Sequence, residues 1–248
     1  MIKYRAELHV HTVLSPCAEV EMIPPLIIQS ALDLDINLLA ITDHNSTANI
    51  PAMMDAAVNS GISILPGMEL QTREEVHLLC IFDKPRQAFA FQQLIDPLLP
   101  QINNDPEHFG EQFVVDATGD FIKTEPRLLL TSANLGLDDA VMEVHKLGGL
   151  AIPAHVDRKA YGLINMLGFF PPEAQFDAVE ISRFTSPEKI SLLHPEIKKF
   201  TVIQNGDVHR LNEFMGSCSF EMESSSISEM IKAFKGIGNR SFSLHQTS

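Results

Sequence analysis

The chain lacks any apolar run long enough to span a bilayer, so no membrane partner is expected. Cysteine is scarce: Cys17, Cys80 and Cys218 are widely spaced and odd in number, which argues against a disulfide framework and for a reducing compartment. Basic residues are outnumbered, with 18 Lys and Arg against 32 Asp and Glu, a formal net charge of −14 and no basic run. Duplex binding rests on clustered Lys and Arg, so no duplex DNA partner is expected. A small phosphorylated substrate stays open, because bound cations can invert the local field. Internal repeats, low-complexity segments and domain boundaries are also missing. The opening residues, Met-Ile-Lys-Tyr-Arg-Ala-Glu, read as leading into a strand rather than as a signal peptide, and a cytoplasmic protein is expected.

What is present is an ordinary core composition, 45% hydrophobic over 248 residues, enough for one large α/β barrel. One domain covering 1–248 is expected. Apolar runs at 4–10, 37–42, 62–65, 75–82, 150–154, 176–181 and 200–204 read as strands. Helical patterns fall at 20–34, 50–60, 86–99, 138–147, 187–199 and 226–235. Such alternation predicts a parallel sheet or barrel. Residues 101–130 break the rhythm and read as an inserted segment that covers or flanks a site.

In folds of this kind ligands gather at the carboxyl ends of strands. His9 and His11, two residues apart on a strand, share one side of the sheet. His44, His77, His155 and His209 also lie at or just past strand ends, together with Glu69 and Asp207. Mixed imidazole and carboxylate ligands suit zinc, manganese or iron rather than calcium or magnesium. The other four histidines, 108, 145, 194 and 245, read as ordinary surface or packing residues.

The ordered motifs are Glu7-Leu8-His9-Val10-His11-Thr12, Ile41-Thr42-Asp43-His44, Pro66-Gly67-Met68-Glu69, Val76-His77-Leu78-Leu79, Ile152-Pro153-Ala154-His155 and Gly206-Asp207-Val208-His209. In this order they resemble the PHP family, the domain shared by bacterial DNA polymerases and histidinol phosphatases. The resemblance runs from residue 5 to about 240. It implies a distorted (β/α)7 barrel holding two or three divalent transition metal ions (Zn, Mn or Fe) that hydrolyses phosphoesters through a metal-bound hydroxide. It also implies that His9, His11, Glu69 and Asp207 hold one ion. Glu69 would bridge to a second with His77 and His155, and His44 and His209 would serve a third. Two-metal hydrolases keep their cations roughly 3.5–4 Å apart, which a bridging carboxylate allows.

The chain departs from the family where an Asp or His is usual after His11-Thr12. Here the sequence is Val13-Leu14-Ser15-Pro16-Cys17, and Cys17 is either a thiolate ligand or a packed side chain. Asp43 is expected to orient a ligand or water, and His44 or His209 to stabilise or protonate a leaving group. Arg158 is the first candidate to anchor a phosphate, followed by Arg183 and Arg210. The expected substrate is a small phosphorylated metabolite, a nucleotide or a short oligonucleotide. A hydrolase of C–N or C–O bonds and a non-catalytic accessory module are the alternatives.

Overall fold

The computed structural model describes residues 1–245. In chain order the elements are β1 (Ile2–Val10), α1 (Pro24–Asp33), β2 (Leu38–Ile41), α2 (Ile50–Ala56), β3 (Ser63–Gln71), β4 (His77–Ile81), α3 (Pro85–Ile95), α4 (Pro106–Phe109), β5 (Phe113–Val115) and β6 (Phe121–Thr124). They continue with α5 (Leu137–Lys146), β7 (Leu150–Pro153), α6 (Leu163–Leu167), β8 (Val179–Ile181), α7 (Pro187–Leu193), β9 (Val202–Gln204), β10 (Cys218–Met222), α8 (Ile227–Phe234) and β11 (Ser241–Leu244). No helix among the described residues is long and apolar enough to cross a membrane.

Seven strands pair in the order β11-β10-β1-β2-β3-β4-β7, and β8 pairs with β9. The curled sheet meets this pair on both sides. Asp177 N donates to Ala151 O at the β7 edge, and Val208 N donates to His9 O at the end of β1. The result is the expected distorted α/β barrel, β1-β2-β3-β4-β7-β8-β9, with β10 and β11 added outside. Its interior is lined by Ala6, Leu8, Leu38, Ala40, Leu65, Leu79, Leu150, Ile152 and Ile203, and α8 packs Ile227 and Met230 into the same cluster. The outer face of the strands (Leu39, Ile41, Leu70, Leu78, Val179) is buried under α1, α2, α3 and α5. With both faces buried, the strands read as continuous apolar runs.

Strand direction departs from the all-parallel expectation. β1, β2 and β3 are parallel, but β4 runs antiparallel to both β3 and β7. Only a short turn joins β3 to β4, too short for a crossover helix. β3 is also longer than expected, carrying Pro66-Gly67-Met68-Glu69 inside the strand rather than after it. Gly67 fits there because a Cβ would lie 3.0 Å from Cys80 O and from Thr42 Cγ2. The inserted segment forms the β5–β6 hairpin, which packs behind the loop after β1. Phe113 N donates to Val13 O, and Val114 and Leu129 bury Leu14.

Candidate metal centre

A β-bulge sets the first two ligands. β1 pairs with β2 at Glu7↔Leu39 and again at Val10↔Ile41, so two residues of β1 face one of β2. The extra residue shifts the alternation. Ala6 and Leu8 point into the barrel below it, whereas Val10 packs outward with the helices, leaving His9 and His11 directed to the mouth. Glu69 shares the inward phase of Leu65 on β3. The antiparallel course of β4 puts its first residue, His77, opposite Gln71 at the same mouth. His155 and Asp207 turn inward with φ of 29° and 49°, a left-handed backbone that costs non-glycine residues about 1–3 kcal/mol.

The side chains converge. Three ligand-like groups form: His9, His11, Glu69 and Asp207; His44, Glu69 and His77; and His11, His44 and His209. Glu69 is the hub, 1% exposed. Its Oε1 lies 2.8 Å from His77 Nδ1 and 3.2 Å from both His9 Nε2 and His155 Nε2. Its Oε2 lies 2.9 Å from His44 Nδ1 and 3.3 Å from His11 Nε2. Asp207 Oδ1 is 3.1 Å from His9 Nε2 and 3.3 Å from His11 Nε2.

Groups behind the cluster fix the tautomers. His9 donates its Nδ1–H to the Glu180 carboxylate, 3.1 Å away. Ser15 Oγ donates to Asp43 Oδ1 at 2.7 Å, so its oxygen accepts from His11 Nδ1 at 2.9 Å. Both Nε2 atoms therefore carry lone pairs, and they face each other at 3.1 Å among carboxylate oxygens. Four acceptors with no donor between them repel unless a cation or a proton sits among them. The same conclusion follows from the orphans. Of the six buried polar side-chain atoms lacking a hydrogen-bond partner among the described residues, four are here: Glu69 Oε2, His77 Nε2, His155 Nδ1 and Asp207 Oδ1. The donor set and its orphaned atoms fit divalent transition metals.

With protons as the only cations, the charges divide. Burial opposes a charge on His9, yet Glu180, Asp207 and Glu69 hold it well above the usual imidazole range. Burial likewise opposes His11, but its contacts with Asp207 and Glu69 push it up to about 9. His44 is buried too, and Cys17 and Glu69 beside it push it up to about 9. Burial takes His77 down to about 4 and His209 down to about 3. Glu69 and Asp207 resist the effect of burial and stay well below the carboxylate range because imidazoles surround them.

The structure brings together His9, His11, His44, Glu69, His77, His155, Asp207 and His209. Asp43 stands behind them: both of its oxygens are engaged, with Thr12 N at 2.7 Å, Thr12 Oγ1 at 2.8 Å and Ser15 Oγ. It positions the loop and does not reach the mouth. Cys17 is exposed and contacts His44, but belongs to none of the three groups. Arg158 Nη1 reaches Asp207 Oδ2 at 2.6 Å, its side chain about a third exposed. Arg183 instead braces the neighbouring loop through Gly206 O and Glu213, and Arg210 pairs with Glu19. Sequence reasoning missed Glu180, Ser15 and Tyr161. Glu180 has a faint signal, since it shares the inward alternation of Ala178 just before β8.

Comparison with known proteins agrees with this architecture. The family model of the PHP domain matches residues 7–180. Over 78 residues the chain is 33% identical to the 5'-3' exoribonuclease Rnm of Salmonella typhimurium, covering 29% of this chain and 26% of that protein. The crystal structure of the lesion-specific endonuclease PfuEndoQ from Pyrococcus furiosus superposes with a TM-score of 0.71 at 19% identity, over 97% of this chain and 58% of that one. An Endonuclease Q complex with a 27-mer duplex carrying an abasic lesion at the active site matches equally, with a TM-score of 0.71, 18% identity and the same coverage. The chain thus spans about a quarter of the curated relative's length and 58% of the endonuclease chains. A protein that shares this fold is bound to a duplex, so the expected exclusion of duplex DNA is not supported; net charge does not fix the potential at a site. Motifs, barrel and ligand cluster agree with the family match: the chain belongs to the PHP domain family.

Proposed function

We propose that this chain is a metal-dependent phosphoesterase acting on a small phosphorylated metabolite, a nucleotide or a short oligonucleotide. The observation that carries it is the pair of Nε2 lone pairs of His9 and His11, 3.1 Å apart and facing Glu69 and Asp207. His9, His11, Glu69 and Asp207 would hold one ion, and Glu69 with His77 and His155 a second. His44 and His209 would serve a third. Zinc, manganese or iron bound there supplies charge neutralisation for a phosphoryl group and activation of water.

The chain's own residues prepare this chemistry. Glu180 and Ser15 lock the imidazoles of His9 and His11, so their lone pairs need no reorganisation. Arg158, anchored through one nitrogen on Asp207, keeps other N–H groups free for a phosphate oxygen. His209 donates Nδ1–H to Asp207 O at 2.9 Å and stays neutral, which suits a ligand and not a proton donor. His44, whose Nδ1 lies 2.9 Å from Glu69 Oε2, is the candidate to stabilise or protonate a leaving group where it is not engaged by a metal.

The test is elemental analysis of the purified protein, followed by a panel of sugar phosphates, nucleotides and phosphodiesters assayed with Mn²⁺, Zn²⁺ or Fe²⁺. Two or three metals per chain and hydrolysis abolished by chelation are expected. Less than one metal per chain after loading, or no ester hydrolysed, overturns the proposal. The family relatives named as nucleases favour nucleotides and oligonucleotides within this panel.

A further inference from the structure

Tyr161 is absent from every motif above, yet it lies against the cluster. Its ring stacks on that of His77, with centroids 4.5 Å apart and planes 8° from parallel. His77 is 4% exposed and Tyr161 41%, so the phenol ring forms the lip of the mouth, covering a candidate ligand on one face and meeting solvent elsewhere. Its backbone is pinned: His77 N donates to Tyr161 O at 3.0 Å. The following Gly162 packs so closely that a Cβ would lie 2.3 Å from Arg158 O. Tyr161 itself adopts φ of 61°, a conformation a tyrosine holds only when its surroundings impose it. The same loop carries His155, 3.2 Å from Glu69, and Arg158, 2.6 Å from Asp207. One loop therefore presents a phosphate-binding guanidinium and an exposed aromatic face together, beside the ligands.

We propose that Tyr161 is a specificity-determining residue whose exposed ring receives a nucleobase, so that base-bearing phosphoesters are taken in preference to sugar phosphates. The proposal rests on the phosphoesterase reading above and narrows its substrate class. A nucleobase extends the His77–Tyr161 stack by one ring, and such stacking tolerates any base because every base has a π face. A sugar phosphate offers Arg158 the same anion but leaves the ring uncovered.

The chain has two tyrosines and no tryptophan, and Tyr4 is 8% exposed, so quenching of tyrosine emission by a bound base reports on Tyr161. Adenosine 5'-monophosphate should quench the emission of the metal-loaded protein where ribose 5-phosphate does not. Tyr161→Phe protein, which retains Tyr4, should show no quenching after the same absorbance correction. In kinetics, Tyr161→Leu should lower the ratio of kcat/KM for the nucleotide over the sugar phosphate by about tenfold, and Tyr161→Phe should restore it. Metal content should be equal in all three proteins, which separates recognition from support of His77. Equal quenching by both ligands, quenching that persists in Tyr161→Phe, or an unchanged ratio in Tyr161→Leu overturns the proposal. Should no phosphoester be turned over, the phosphoesterase reading falls, and the quenching experiment still decides the role of Tyr161.

Discussion

Two walls enclose the histidine cluster, and they are built differently. The first is the loops after β1 and β2. There Thr12, Ser15, Asp43, Asn45 and Asn49 are all nearly inaccessible and tied to one another or to the β5–β6 segment. Asn49 alone donates to Thr12 Oγ1 and Phe113 O and accepts from Val115 N. The second wall is the loops after β7, β8 and β9. These are held by Arg158–Asp207, Arg183–Glu213 and Arg210–Glu19, with arginine side chains 32%, 27% and 54% exposed. Buried hydrogen bonds are barely screened by salt, whereas half-exposed ion pairs are, and an incoming anion can compete for them. The first wall fixes ligand geometry; the second can yield to a phosphate.

The largest expected effect comes from the carboxylate that both walls share. Glu69→Gln keeps the size of the side chain but removes the charge that five imidazoles approach within 3.3 Å. Hydrolysis should fall about a thousandfold and bound metal should drop, while circular dichroism shows an intact fold. Near-normal turnover in a folded variant would remove Glu69 from the centre of the site.

Next come substitutions that set one wall against the other. Asp43→Asn should cost about 1–3 kcal/mol of stability and weaken metal binding about 10–100-fold, with little dependence on salt. Arg183→Ala should cost about 1 kcal/mol or less, and that effect should shrink as salt is added. Thermal unfolding and competitive metal titration at two ionic strengths measure both. If the two salt dependences were reversed, the distinction between the walls would fail.

A smaller effect is the pH dependence of the chelated protein. His11 and His44, raised to about 9, keep protons that the unfolded chain releases above about 6.5, so stability should fall as pH rises from about 6.5 through 9. His77 and His209, lowered to about 4 and 3, refuse protons that the unfolded chain takes up below about 6.5, so stability should also fall as pH drops toward 4. Melting temperature should therefore peak near pH 6.5. Loaded metal should flatten the alkaline limb, because it takes the place of the protons. A melting temperature that climbs steadily from pH 6.5 to 9 under chelation would contradict the charge distribution.

The smallest effect concerns Cys17, at the outer edge of the first wall. Cys17→Ser should leave metal content unchanged, since the thiol is exposed and lies outside the three ligand groups. A loss of about one metal per chain on full loading would make it a ligand.

The sequence showed the ligands more clearly than the strands that carry them. His-x-His, Asp-His and the later single histidines stand out because polar residues ending apolar runs are conspicuous. The direction of β4 was hidden: an apolar run looks the same whether it runs parallel or antiparallel, and only the brevity of the turn at 72–76 distinguishes the two. The bulge at Leu8 and His9 was invisible because it depends on pairing with β2, and β10 and β11 went unread beside the α8 pattern. Glu180 was missed because it sits in the middle of a short apolar strand, 171 residues from the His9 that it orients. Residues that support ligands from distant strands leave no local spacing to read.

That separation also governs when the site can exist. Leu8 N donates to Asn205 Oδ1, His9 Nδ1 to Glu180, and Gly206, Met215 and Gly216 donate their N–H groups to the Glu7 carboxylate, across 171 to 209 residues of chain. Contacts of such span form late, after the entropy of closing a very long loop has been overcome. During synthesis, β1 emerges with His9 and His11 long before Asp207 is made. Assembly of the centre is therefore a record of completed folding: a chain stopped before residue 202 would carry six of the eight clustered groups on an open sheet, without β9, the strand that closes the barrel around them.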